Sequence, residues 1–359
     1  MLIVKIQTKK GNSDLNETKM TFESVNALSE LEYFKLNESG KIELASKELG
    51  PIIDMHTHLG FTTAIAPPLN LSRRTPYVKH SFSEKGMGVD LSVYSGVNLT
   101  QENRGGLFRD YAEAAFFGSG AATTYTAPNL LEEMDRCGVE RSVLLAMDLP
   151  GSMTASEGHI RAAGDGRRLI PFCGVSPRSL RWERHVEKCL AMGAKGLKYH
   201  PYINVMAPDH PMAIRLFRRW SRSGLPILFH TAHNGVEPSV LRQFSHIELY
   251  QKTLRRLSDS VFVLGHAGMG FFREAVAMAK EHGNTYLEIG GQPPDVVREL
   301  IDTIGPDRIM YGSDWPVYPL AMPLSKIFIA TEGDPESRRK ILYENAQRLL
   351  NLKVASKTA

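Results

Sequence analysis

From Pro51 onward the chain alternates between short apolar runs and longer segments of mixed polarity. The runs are continuous rather than alternating, as expected of parallel strands buried on both faces. They fall at 51–56, 142–147, 169–174, 195–199, 226–230, 261–265, 285–289 and 308–312. Between them, apolar residues recur three and four positions apart, the spacing of a helix with one buried side. The helices expected are Leu130–Cys137, Leu180–Met192, Met212–Ser223, Leu249–Leu257, Phe271–Glu281 and Asp295–Ile304. Gly138, Gly193, Gly224 and Gly305 punctuate the helix-to-strand turns, where a helix end favours a residue at positive φ. A last amphipathic helix is expected over Pro335–Leu350, with Ile341, Leu342, Leu349 and Leu350 on its apolar side.

Strands separated by helices in this way predict an α/β fold, a (β/α)8 TIM barrel over 51–359. The rival is a doubly wound open sheet, whose first strand would usually enter a glycine-rich phosphate loop. Here the first strand enters His56-Thr57-His58-Leu59-Gly60 instead. The rhythm breaks once, where roughly 85 residues separate the first two strands, far beyond an ordinary βα loop. This insertion, about 60–128, is rich in Gly, Ser, Pro and aromatics with little periodicity. As the first βα loop it would stand over the barrel mouth as a lid or substrate wall. Residues 1–50 read as an N-terminal extension, capping or partly flexible. Short strands are expected there at Leu2–Ile6 and Lys41–Leu44, with weak helical spacing across Ser24–Phe34.

Composition narrows the class. Of 359 residues, 42% are hydrophobic and 23% charged, as in soluble globular proteins. A net charge of +4 with no Lys/Arg cluster argues against a nucleic-acid partner. Cys137, Cys173 and Cys189 form no CxxC pair and read as reduced buried thiols of a cytoplasmic protein. No apolar run is long enough for a membrane span.

The candidate chemistry sits at the strand ends. On a strand, period two places Asp54, His56 and His58 on one face, from which two imidazoles can grip one metal ion. Alone, the triplet reads equally as a core histidine beside a turn. Downstream, however, Gly196-Leu197-Lys198-Tyr199-His200, Leu228-Phe229-His230, Leu264-Gly265-His266 and Tyr311-Gly312-Ser313-Asp314 close four more strands on His, Lys or Asp. Side chains at those places converge on one mouth, where a barrel carries its active site. Imidazoles with a carboxylate suit Zn²⁺, with Mn²⁺ or Fe²⁺ as alternatives. His56, His58, His230 and Asp314 would leave a coordination position open for water, which such a metal activates as hydroxide. Asp314 could take the proton from that water, with His266 across the site polarising the substrate or relaying protons.

Other residues carry two readings each. His200 either contacts substrate or does not reach it; His233 is a loop residue or a site residue. Asp54 orients a ligand or makes a core hydrogen bond. Glu288 points inward or pairs with a neighbouring Arg. Arg73, Arg74, Lys79, Arg104 and Arg109 make the insertion basic, which suits an anionic substrate or is ordinary loop charge.

The ordered motifs D-M-H-T-H, G-L-K-Y-H-P, P-I-L-F-H, V-L-G-H-A-G, Y-G-S-D-W-P and E-N-A-Q-R-L-L, over about 51–352, resemble the amidohydrolase superfamily. The likeness is greatest to its amidohydrolase 2 branch of metal-dependent TIM-barrel hydrolases. That resemblance implies one or two metal ions per chain. His56 and His58 would hold the more buried ion with His230 and Asp314, and His266 would be catalytic or bind a second metal. It implies for Lys198 either a carboxylated bridge between two metals or, over a single metal, an ammonium pairing with a substrate carboxylate or Asp314. It also implies a homodimer. The function expected is hydrolysis of a C–O or C–N bond (lactone, ester or amide) in a small carboxylated substrate. The alternative is decarboxylation or hydration of an aromatic or unsaturated carboxylic acid, and a third reading is a metal-holding barrel that only binds.

Overall fold

A computed structural model describes residues 19–352, apart from 47–48, 62, 64–65, 83–85 and 234–238, without the side chains of residues 107, 108, 111 and 115. Its centre is a sheet of eight parallel strands: Ile52–Thr57, Val139–Leu145, Leu169–Cys173, Gly196–Tyr199, Ile227–His230, Phe262–Gly265, Thr285–Glu288 and Ile309–Met310. Each pairs with the next in sequence order. The seam between the eighth and first closes through a Thr57–Trp315 bridge and the Met55 amide, which donates to the Tyr311 carbonyl at 3.0 Å. This is the expected (β/α)8 barrel, with strand positions within a few residues of those read from the sequence.

The strands are apolar because both of their faces are covered. Ile53, Met55, Val143, Leu145, Ile170, Phe172, Leu228, Val263 and Met310 fill the interior. Intervening residues such as Leu144, Leu197, Phe229 and Leu264 face the outer helices. The helix Pro211–Ser221 shows how that layer is built. Proline opens it, the His210 ring accepts the Met212 amide, and Leu216, Phe217 and Trp220 turn inward with no exposure. Burying each of those side chains stabilises the fold by ~2–3 kcal/mol, and the arginines of the same helix face outward.

Several elements differ from the sequence reading. The insertion contains a 17-residue helix, Gln101–Phe117, although its sequence shows little periodicity. Among its described side chains only Ala114 is buried, so no apolar stripe marks it. Local chemistry defines its ends instead: a Thr100–Asn103 capping box and Gly118 at φ 63°. The C-terminal helix is interrupted by a π turn, Lys340–Glu344, between Pro335–Arg339 and Asn345–Leu349. In the N-terminal extension, Phe22, Val25, Leu28, Phe34 and Ile42 are buried in the same core as the barrel helices, and Thr21–Phe22 pairs with Val89–Asp90 of the insertion. Ile42–Leu44 is the expected short strand, and Ser24–Phe34 holds a 3-10 helix at Asn26–Glu30. The strand expected at Leu2–Ile6 lies outside the described residues. Among the described residues, no helix is long and apolar enough to cross a membrane, and all three cysteines are buried.

The insertion meets the C-terminal ends of the strands. The Gly60 amide closes the insertion on itself by donating to the Tyr125 carbonyl, while the Phe82 amide donates to Val317 and the Ser95 amide to Gly291, each at 2.8 Å. The insertion is thereby tied to the loops after the seventh and eighth strands.

Candidate metal centre

The strand ends bring His56, His58, Lys198, His200, His230, His266 and Asp314 into one chamber. His56 lies at its middle. Its Nε2 is 3.2 Å from His58 Nε2, 3.2 Å from Lys198 Nζ and 3.7 Å from Asp314 Oδ1. His58 Nε2 is 3.6 Å from the same Asp314 oxygen. The His266 ring lies 4.6 Å from that of His56 and 5.1 Å from that of His230, centroid to centroid. His200 stacks on His230 at 4.1 Å with an interplanar angle of 9°. One donor atom each from His56, His266 and Asp314 lie within 4.8 Å of one another.

Hydrogen bonds outside this chamber set the tautomers. His58 Nδ1 faces the Leu145 carbonyl at 2.8 Å, His266 Nδ1 the Gly290 carbonyl at 3.1 Å, and His56 Nδ1 the Glu288 carboxylate at 2.6 Å. All three partners are acceptors, so each Nδ1 carries the proton and each Nε2 presents a lone pair. Two lone pairs 3.2 Å apart, beside a carboxylate, repel one another unless a cation is shared between them. The donor set therefore fits a divalent transition metal. Burial, reinforced by Lys198 and the neighbouring rings, holds His56, His58, His200 and His266 well below the ordinary imidazole range, so all four are neutral at pH 7. Burial also raises the Asp314 carboxyl, with the Lys198 ammonium opposing it, and lowers the Lys198 ammonium in turn.

The backbone is committed to this geometry. Asp314 and His266 both occupy the left-handed region, at φ 61° and 56°, which non-glycine residues adopt at a cost of ~1–3 kcal/mol each. Asp54 supports the arrangement from behind: Oδ1 accepts the amides of His56 and Ser313, both at 2.9 Å, fastening the first strand to the eighth. The first strand shifts register between Asp54 and Thr57, so simple period-two alternation does not describe this stretch.

Sequence reasoning left Glu288 with two destinations, and the structure turns it inward onto His56. It missed His159, whose Nε2 accepts the Leu59 amide at 3.1 Å just beyond the His56–His58 pair. Nothing in a helical histidine more than ninety positions away signals that contact. His233 packs against Phe271 and His246 rather than on the cluster. Of the insertion's basic residues, Arg73, Arg74, Lys79 and Arg109 are exposed. Arg74 pairs with Glu132 and Lys79 with Asp110. Arg104 donates to the carbonyls of Gly96 and Leu99.

The family model described as amidohydrolase matches residues 159–352, more than half of the chain. The chain belongs to the amidohydrolase family. Among solved structures, the 5-carboxyvanillate decarboxylase of Sphingomonas paucimobilis shares its fold, with a TM-score of 0.58 at 17% identity over 84% of this chain and 99% of that one. The 5-carboxyvanillate decarboxylase of Novosphingobium aromaticivorans, complexed with manganese and 4-hydroxy-3-methoxy-5-nitrobenzoic acid, gives 0.54 at 15% identity over 86% and 98%. A probable 2-pyrone-4,6-dicarboxylic acid hydrolase of Acinetobacter baumannii gives 0.53 at 13% over 84% and 99%. No curated protein matches this amidohydrolase in sequence.

Proposed function

We propose that this amidohydrolase-family chain is a metal-dependent decarboxylase of a small aromatic or unsaturated carboxylic acid. The observation that carries this reading is the placement of Asp314. Its side chain is 20% exposed, against 1% for His56 and 7% for His58. It is the most open donor of those three, and its Oδ1 lies 3.7 Å from His56 Nε2 and 3.6 Å from His58 Nε2, between the buried imidazoles and the chamber's open side. A carboxyl so placed is suited to give a proton to carbon.

A divalent metal held by His56, His266 and Asp314, with His58 beside them, would supply a Lewis acid for the oxygens of an anionic substrate. The ammonium of Lys198, inside the chamber, complements the substrate's negative charge. The flat His200–His230 stack offers a wall for a planar ring. In the proposed step Asp314 donates its proton to the carbon that bears the carboxylate. The bond from that carbon to the carboxylate carbon breaks, its electron pair forms the new C–H bond, and carbon dioxide leaves. Asp314 recovers a proton from solvent. The decarboxylases that share this fold support the reading. Manganese, present in one of them, is the first ion to test beside zinc.

Hydrolysis of a C–O or C–N bond is the second reading, favoured by the fold shared with the Acinetobacter hydrolase. Turnover of a panel of hydroxybenzoates and unsaturated diacids by the manganese-loaded protein in D2O separates the two. Decarboxylation releases carbon dioxide and leaves one deuterium on the product carbon, and Asp314→Asn lowers the rate by roughly 10²–10⁴-fold. Solvent oxygen in the product without carbon dioxide would overturn the proposal in favour of hydrolysis.

A further inference from the structure

The structure assigns to Glu288, at the end of the seventh strand, the role of positioning two metal ligands at once; this rests on the reading of the cluster as a metal centre. Its carboxylate is fully buried, and both oxygens are used. Oε2 accepts His56 Nδ1–H at 2.6 Å and the His266 backbone amide at 3.0 Å, while Oε1 accepts the Gly290 amide. One side chain therefore fixes the tautomer and ring orientation of His56, on the first strand. It also fixes the start of the left-handed turn that carries His266, beyond the sixth. The Gly290 carbonyl in turn holds His266 Nδ1, so the same carboxylate governs His266 from two sides.

The surrounding backbone is shaped to admit this carboxylate. A Cβ on Gly290 would lie 2.6 Å from Oε1, and one on Gly312 would collide with that oxygen and approach His56 Cβ to 2.8 Å. The two glycines leave a slot between the seventh and eighth strands that the carboxylate fills. Glutamine cannot replace it. All three partners are N–H donors, so an amide must set its own NH2 against at least one of them.

Outer partners of metal-bound imidazoles typically contribute 10–100-fold to metal affinity. Glu288→Gln is accordingly expected to weaken Mn²⁺ binding, followed by calorimetry on the full chain, roughly 10–100-fold, and to change the visible spectrum of the Co²⁺-loaded protein. Gly312→Ala, which invades the same slot, should do likewise. In the unsubstituted protein, ¹⁵N NMR should show His56 protonated at Nδ1, with a slowly exchanging proton that disappears in Glu288→Gln. Because that measurement needs no variant to fold, it decides the matter even if Glu288→Gln is unstable. Wild-type Mn²⁺ affinity and an unchanged Co²⁺ spectrum in Glu288→Gln, or a His56 proton on Nε2, would overturn the role of Glu288 alone. Failure of the unsubstituted protein to bind Mn²⁺, Co²⁺ or Zn²⁺ would overturn the metal centre itself, and the inference with it.

Discussion

His80 of the insertion and Glu133 of the helix Ala127–Arg136, which leads into the second strand, form a buried pair, imidazole Nε2 to carboxylate Oε2 at 3.2 Å. The same carboxylate accepts Trp315 Nε1–H at 3.0 Å and the Leu320 amide at 2.7 Å, and His80 Nδ1 reaches the Pro316 carbonyl at 3.0 Å. The segment just after Asp314 is thus fastened from behind by one acid and joined by one imidazole to the insertion.

That pair gives the fold an acid-sensitive joint. Burial alone would raise the Glu133 carboxyl, but the charges of His80 and Arg136 and the Leu320 amide win and bring it down to about 2. A carboxyl depressed in the folded state stabilises above its ordinary value and loses that contribution as pH falls toward the folded one. The window therefore runs from about 4.5 down to about 2, and the full contribution is ~3 kcal/mol. Urea unfolding measured across this window should show the loss. Glu133→Gln should be less stable at neutral pH and show a correspondingly smaller acid-dependent drop. Parallel stability curves for the two proteins would refute the joint.

Lys198 can be tested through the metal. Its Nζ lies 3.2 Å from His56 Nε2, so an ammonium there competes with any cation that uses that nitrogen. Lys198→Met should tighten Mn²⁺ binding by roughly tenfold, the worth of ~1.4 kcal/mol of relieved repulsion. It should also raise KM for an anionic substrate. A carboxylated, bridging Lys198 predicts the reverse, a loss of bound metal, and calorimetry on the variant distinguishes the two.

Lys326 is a second buried cation, on a helix between barrel and extension. Its Nζ donates to the Val93 carbonyl at 2.7 Å, Ser95 Oγ at 2.9 Å and the Gly291 carbonyl at 3.1 Å. It holds the insertion to the loop that follows Glu288. Lys326→Met removes three hydrogen bonds, leaving the Gly291 carbonyl only its bond from the Ser95 amide, and should cost about 3 kcal/mol in urea unfolding with an unchanged m-value. Limited proteolysis should then cut sooner near residues 93–98. An unaltered midpoint would show that the three contacts contribute nothing.

The barrel was legible because its strands are covered on both faces, so that Ile227–His230 or Phe262–Gly265 reads as an unbroken apolar run. The candidate ligands were legible for a related reason: His56, His58, Lys198, His230, His266 and Asp314 each follow such a run, and a barrel sends strand ends to one mouth. Of the helices the sequence did not show, Thr154–Ala163 among them, two went unseen on opposite grounds. Ala321–Ala330 is buried on every side, and Gln101–Phe117 is buried on almost none, so neither carries a one-sided stripe. The supporting contacts were hidden more deeply. Glu288 beneath His56, His80 against Glu133, and Lys326 against Val93 join residues far apart in sequence, and only the closed sheet and the folded insertion bring them together.

The most direct test is anomalous diffraction from crystals of the manganese-loaded protein, collected at the metal edge. The account predicts a peak about 2.0–2.4 Å from His56 Nε2, His266 Nε2 and a carboxylate oxygen of Asp314. No peak among these three side chains at saturating manganese, or one held by other residues, would contradict it.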